Sequence, residues 1–305
     1  SYEQKVAVRN LSLQIDAGSM FGLLGPNGAG KTSTIRMIVG ITLPDSGKVN
    51  LFNKPWNSAS LQRVGYLPEE RGLYKKMKVG EQALYLAQLK GMRKSEAKDA
   101  LIEWFRKFEI ESWWNKKIDE LSKGMAQKVQ FITTVMHKPE LLILDEPFSG
   151  FDPINTNLIK RELLKLRDEG TTIILSTHNM GSVEEICDHI ALINNAEKVL
   201  DGKVRDIKKE FFTHTYEMQF TGNLIGFTNA LWTGCELVDK ETIEGESHRV
   251  TIRLLGNTQL NQILEAVLPL VQIHSLHEVI PSMNDIFIEV VGKAPHEVEK
   301  EAGNG

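Results

Sequence analysis

The run Gly25, Pro26, Asn27, Gly28, Ala29, Gly30, Lys31 and Thr32 carries the most specific chemistry legible in the chain. It fits G-x-x-x-x-G-K-[ST], preceded by the apolar run MFGLL and followed by the helical pattern of STIRMI. Glycines spaced in this way let backbone N–H groups turn inward around phosphate oxygens, and the start of the helix adds a partial positive charge. In such a loop Lys31 bridges the β- and γ-phosphates of a nucleoside triphosphate, the Thr32 hydroxyl ligates Mg2+, and Ser33 continues the cradle. A Gly-rich turn of no function would leave both the lysine and the threonine as coincidences.

The segment LLILDEPFSGFDP supplies the acids that this chemistry needs. An apolar strand ending in Asp145 places a carboxylate where Mg2+ and its waters require an anionic ligand. Glu146 follows, pointing the other way in an extended chain, so it can act as general base on an attacking water without competing for the metal. TIILSTHNM repeats the arrangement and ends in His178, either a structural histidine or one that reaches the γ-phosphate or the water. A third acidic feature, Glu69 and Glu70 in VGYLPEERGLY, has no meaning by itself.

These residues need a scaffold, and the pattern provides one. From VAVRNLSLQI to VLDGKV, β-rich runs alternate with helical patterns, and MFGLL, LLILDEP and TIILST are apolar enough to be buried on both faces, as in a parallel sheet wrapped by helices. Between about residues 78 and 137 helix follows helix, which reads as a helical insertion. After Lys208 the order becomes β, α, β, β, α, β, expected to be a small ferredoxin-like α+β domain over residues 209–293, before a polar tail at 294–305.

Bulk properties narrow the partners. The net charge of -4, with 25% charged residues, argues against nucleic acid. Cys187 and Cys235 have no metal-like spacing, as expected of a reducing compartment. No apolar run approaches the roughly 20 residues that span a bilayer. The expectation is a cytoplasmic chain that any membrane role would require another polypeptide to anchor.

With LSKGMAQKVQ at 121–130, placed between the phosphate loop and the carboxylate strand, the chain resembles the ATP-binding cassette (ABC) ATPases over residues 1–208. The family signature is typically LSGGQ; Leu121, Ser122 and Gly124 match, while Lys123 and Met125 depart from it. The resemblance implies a P-loop NTPase fold of the ABC type with a helical subdomain, ATP and Mg2+ as ligands, and ATP hydrolysis. It implies a second ATPase subunit, so that Ser122 and Gly124 of one chain contact the γ-phosphate held by the other. Asp152, in SGFD, would cross to that neighbour, and His178 becomes the switch histidine. Glu69 falls where the family has a glutamine touching Mg2+. Tyr2 would stack on adenine, or is an ordinary exposed tyrosine. Lys123 adds a cation near phosphate or points to solvent.

YLPEERGLY, LSKGM and the extra C-terminal domain resemble the sodium- and drug-exporter branch, whose permeases are separate membrane chains. The implied function is the ATPase subunit of an exporter, peripheral on the inner face of the cell membrane. Leu73, Tyr74 and Met77 would line the permease groove, or pack inside the helical insertion; Glu70, beside Arg71, would contact the permease or be solvated. The alternatives are a soluble ABC ATPase acting on ribosomes or DNA, disfavoured by a single cassette and a short insertion, and a small-molecule kinase, which has no use for LSKG or SGFDP. In the C-terminal domain His274 and His277, three apart in a strand, are expected to face opposite sides and so not to form a metal site with Cys235.

Overall fold

The computed structural model describes residues 6–70, 72–231 and 234–292; Tyr2 and Arg71 lie outside them. The chain divides into two units, residues 1–204 and 205–305.

The first unit is built on strands β1 (Met20–Leu24), β2 (Asn50–Leu51), β3 (Lys54–Pro55), β4 (Val64–Leu67), β5 (Leu141–Asp145), β6 (Thr172–Thr177), β7 (His189–Asn194) and β8 (Glu197–Lys203). Its helices are α1 (Lys31–Ile38), α2 (Val79–Leu89), α3 (Lys94–Lys107), α4 (Lys123–Val135), α5 (Pro153–Asp168), α6 (Met180–Ile186) and α7 (Val204–Glu210), the last running across the boundary. Six strands form one sheet in the order β4-β5-β6-β1-β7-β8. The first five are parallel, and every residue of β1 and β5 is buried, which is why those segments read as continuous apolar runs. The edge strand β8 runs antiparallel to β7 and alternates exposed with half-buried residues. The separate pair β2 and β3 forms a short antiparallel ribbon.

The stretch VAVRNLSLQI is not a strand. Arg9 donates its N–H to the Ala196 carbonyl at 2.7 Å, but no ladder follows, and Leu11, Leu13 and Ile15 pack half-buried on the sheet core. Alternating apolar residues sufficed to seat the segment without a partner strand. The helical patterns between residues 78 and 137 become α2, α3 and α4, held by an aromatic cluster in which Trp104, Phe108 and Phe131 are in mutual ring contact. Ser122 caps α4, its Oγ accepting from the Met125 N–H, and Asp152 caps α5 ahead of Pro153.

The second unit contains β9 (Thr215–Gly222), α8 (Leu224–Ala230), β10 (Cys235–Glu244), β11 (Ser247–Leu254), α9 (Leu260–Val267), β12 (Val271–Glu278) and α10 (Met283–Gly292). Its antiparallel sheet has the order β10-β11-β9-β12, which with the β-α-β-β-α-β succession is the ferredoxin-like topology. Met218, Phe220, Phe227, Cys235, Val250 and Ile252 belong to its core.

One expectation about this sheet is overturned. A bulge between Ile273 and Ser275 inserts His274 as an extra residue, so side-chain parity slips by one. His274 then meets Thr221 at 3.0 Å and His277 pairs with Glu217, which puts both histidines on the same exposed face. Cys235 is on the opposite, core face.

Candidate active site

The phosphate loop lies between the end of β1 and the start of α1. Gly25 has φ +148° and sits so close to β7 that an added Cβ would stand 2.2 Å from the Ile193 carbonyl oxygen, so no other residue fits there. Gly30 precedes α1 without any side-chain cap, leaving the first N–H groups of the helix without a side-chain acceptor. Lys31 folds back over the loop and donates to the carbonyls of Gly25 at 2.7 Å and Pro26 at 3.1 Å. Burial holds its ammonium below the usual lysine range, against the opposing pull of Glu146, Asp145 and Glu69.

Asp145 closes β5 directly across from α1. Thr32 Oγ1 donates to Asp145 Oδ2 at 3.0 Å, while Asp145 Oδ1 and the neighbouring Ser176 hydroxyl of β6 are both buried without a hydrogen bond of standard geometry among the described residues. Burial pushes this carboxyl above the ordinary aspartate range.

Glu146 departs from the extended geometry that the sequence implies. Its φ is +50°, a left-handed conformation that costs a residue with a side chain about 1–3 kcal/mol. The strand ends at Asp145, and the backbone turns before Pro147 can continue it. The turn still separates the two acids, but by a reversal of the chain. The Glu146 carboxylate accepts from Thr177 Oγ1 at 3.0 Å, from the His178 N–H at 3.0 Å and from the His178 ring at 2.7 Å through Nδ1. Because an ionised carboxylate only accepts, Nδ1 carries the proton in this contact.

These groups line one cavity of about 350 Å3, formed by Ala7, Asn27, Gly28, Gly30, Lys31, Thr32, Ser33, Glu69, Asp145, Glu146 and His178. Of the residues expected at the nucleotide, Gly25, Pro26 and Ala29 of the loop do not line it, and neither do Ser122, Gly124 and Asp152: Ser122 and Gly124 sit at the N-terminus of α4, and Asp152 at that of α5. Tyr74 is exposed and meets Tyr85 edge-on, while Leu73 and Met77 are half-buried. Two contributors escaped the sequence reading. Thr177 is recognisable only as a hydroxyl at the end of a buried strand, and Ala7 offers no signal.

A parallel sheet carrying a phosphate loop at one strand end and paired acids at another defines a P-loop nucleotide hydrolase. The family described as ABC transporter matches residues 8–149, and the family described as ATP-binding protein DrrA1-3-like, C-terminal domain, matches residues 202–291. The chain is 42% identical over 295 residues to the ABC transporter ATP-binding protein YhaQ of Bacillus subtilis (strain 168), covering 94% of each chain. It is 30% identical over 309 residues to the Nod factor export ATP-binding protein I of Rhizobium sp. (strain N33), covering 98% of this chain and 96% of that one. A solved structure of the ATP binding subunit of an ABC transporter superposes with a TM-score of 0.64 at 29% identity, over 69% of this chain and 89% of the other. The chain therefore belongs to the ATP-binding proteins of ABC transporters, a family of nucleotide-binding ATP hydrolases.

Proposed function

We propose that this chain is the ATPase subunit of an exporter, working as a dimer around two ATP molecules and driving a separate membrane permease at the inner face of the cell membrane. The observation that carries the dimer is the split of the site. Asn27, Gly28 and residues 30–33 of the phosphate loop line one cavity with Asp145, Glu146 and His178, whereas Ser122 and Gly124 of the same chain do not. A neighbouring subunit is then the source of the signature contacts, and its α4 N-terminus adds a favourable dipole to the γ-phosphate. Export is favoured by the DrrA-like C-terminal domain and by likeness to the Nod factor export protein over nearly its whole length. A permease on another chain is favoured because, among the described residues, no helix is long and apolar enough to cross a membrane.

Within the site each residue has one task. Backbone N–H groups of residues 25–33 and the Lys31 ammonium hold the phosphates. Glu146 takes a proton from the attacking water, and His178, hydrogen-bonded to Glu146, keeps that carboxylate aimed and presents its other ring nitrogen to the γ-phosphate. The donor set also fits Mg2+: Asp145 accepts from the Thr32 hydroxyl through Oδ2 and keeps a second buried oxygen, Oδ1, without a hydrogen bond of standard geometry among the described residues, with Glu69 on the same cavity wall. Thr32, Asp145 and Glu69 would hold the ion, which when bound offsets the charge developing on the phosphates.

The test is Glu146→Gln. Turnover is expected to fall by at least about a hundredfold, the usual contribution of a positioned base, while ATP still binds and the protein elutes as a dimer in its presence. Wild-type turnover would remove Glu146 as the base, and a monomer at saturating ATP would remove the shared site. Copurification from gently solubilised membranes reports the partner; recovery with ribosomes instead would sink the transporter reading.

A further inference from the structure

Lys123, Gln127 and Gln130 are spaced i, i+4, i+7 along α4 and so form one polar stripe. With Ser149, Glu70 and others it lines a second cavity of about 310 Å3. Glu69, Asp145 and Glu146 also line the phosphate cavity, so they form a wall common to both.

Each residue of the stripe touches a different loop of the site. Gln130 Nε2 donates to the Pro68 carbonyl, one residue before Glu69, at 3.5 Å. Gln127 Nε2 donates to the Pro147 carbonyl, one residue after Glu146, at 3.1 Å. The Lys123 stem passes Gly150, where an added Cβ would stand 2.9 Å from Lys123 Cε.

The Gln127 contact acts at the strained point. Glu146 is left-handed, and a chain free to relax would leave that conformation. Pro147 already has its φ locked by its ring. A donor fixed on its carbonyl also restrains its ψ, so little torsional freedom remains through which the turn could relax. Gln127 Oε1 is buried without a partner, so this amide is held by one bond only. Reversing the amide would set oxygen against oxygen, which leaves a single donating orientation.

We propose that Gln127 is a positioning residue for hydrolysis: by holding the Pro147 carbonyl it keeps Glu146 in its left-handed conformation, and it thereby ties the signature helix to the base of the same chain. This rests on the assignment of Glu146 as base. Movement of α4 on engaging a neighbour's nucleotide is then transmitted to the water-activating carboxylate.

The experiment compares Gln127→Met, which keeps the length but cannot donate, with Gln127→Glu, which places an acceptor against the carbonyl. ATPase kinetics are referred to the number of chains that bind ATP, counted by equilibrium titration, so that any unfolded fraction drops out. In Gln127→Met kcat is expected to fall about fivefold, the factor carried by one neutral hydrogen bond. Gln127→Glu falls further, and KM and ATP affinity stay within about twofold of wild type in both, the two partners of one lost bond being uninvolved in nucleotide contact. Wild-type kcat in both variants, a loss that vanishes on referring to ATP-binding chains, or a parallel loss of ATP affinity would each overturn the proposal. Glu146→Gln is run alongside: if it still turns over, the base assignment fails; if it is inactive while Gln127→Met is wild type, only the positioning role fails.

Discussion

In the unit of residues 1–204, Lys31, Asp145 and Glu146 are buried together in one site, whereas in residues 205–305 the buried polar residues among those described are Thr215 and His248. Each of the latter has a neutral neighbour at hydrogen-bond distance, Thr213 at 2.8 Å and Thr242 at 3.1 Å respectively. The charges of the second unit instead lie on its outer sheet face, where Arg249 pairs with Glu217 and Glu241, and Arg253 with Glu236. Exposed pairs of this kind contribute little to stability. Buried charge is costly unless it is paired or neutralised; the buried Lys160 and Glu162 of α5 are paired, with Glu185 and Lys107 respectively, whereas Lys31, Asp145 and Glu146 gather at the phosphate loop, and that cluster marks where the molecule gives up stability for chemistry. The ferredoxin-like unit shows no such concession, and its sequence reads as packing.

The largest effect that sharpens this contrast belongs to the packed unit. Phe220 and Phe227 are fully buried and stack at 4.4 Å between ring centroids, inside the core of the second sheet. Phe227→Ala is expected to cost about 3–5 kcal/mol of that unit's stability, read as a lowered unfolding transition in calorimetry. ATP affinity should stay within about twofold. A comparable loss of ATP binding would break the contrast, because the second unit would then be supporting the nucleotide site.

Lys31 is the reverse case. Its folded-state pKa is lowered, chiefly by burial, so the folded protein binds fewer protons here than the unfolded chain. The linkage sign follows: this group's contribution to stability rises with pH through the window between the folded value and the ordinary lysine value of 10.5, and at neutral pH the charged lysine is held at a cost. Its bonds to Gly25 and Pro26 offset part of that cost. Lys31→Met is therefore expected to leave the nucleotide-free melting temperature nearly unchanged while ATP affinity falls about 10- to 100-fold, the scale of a lost charge-assisted hydrogen bond. Equal losses in both quantities would mean that Lys31 serves the fold rather than the ligand.

The same contrast governs what the sequence made legible. The phosphate loop and LLILDEP could be read because each demands particular residue types at fixed spacing, and the parallel sheet because buried strands are continuously apolar. The features that escaped are those on which single torsions or single insertions decide. Glu146 looks extended from its place after an apolar strand, yet it is left-handed. One bulge residue, His274, turns two histidines expected on opposite faces onto the same one. Gln127 reads as an ordinary surface position of a helix, since nothing local announces that the Pro147 carbonyl lies above it. Alternation at Leu11, Leu13 and Ile15 describes burial correctly but cannot say whether a partner strand is there to pair with.

Glu69 is where the smallest effect is expected, because it is exposed and shares its cavity wall with the two buried carboxylates Asp145 and Glu146. A carboxylate in that position repels the phosphates unless a divalent cation stands between them. Its charge should therefore make both nucleotide binding and turnover depend more steeply on Mg2+ than a neutral amide would. Glu69→Gln is expected to keep kcat within about threefold at saturating Mg2+, well short of the hundredfold expected of Glu146→Gln. The variant should also bind ATP better than the wild type in the absence of Mg2+, where the repulsion is unrelieved. Superimposable Mg2+ titrations of binding and of hydrolysis in the two proteins would refute a metal-facing Glu69. The acid would then belong with the solvated charges of the loop, and the charged cluster at the phosphate loop would narrow to Lys31, Asp145 and Glu146.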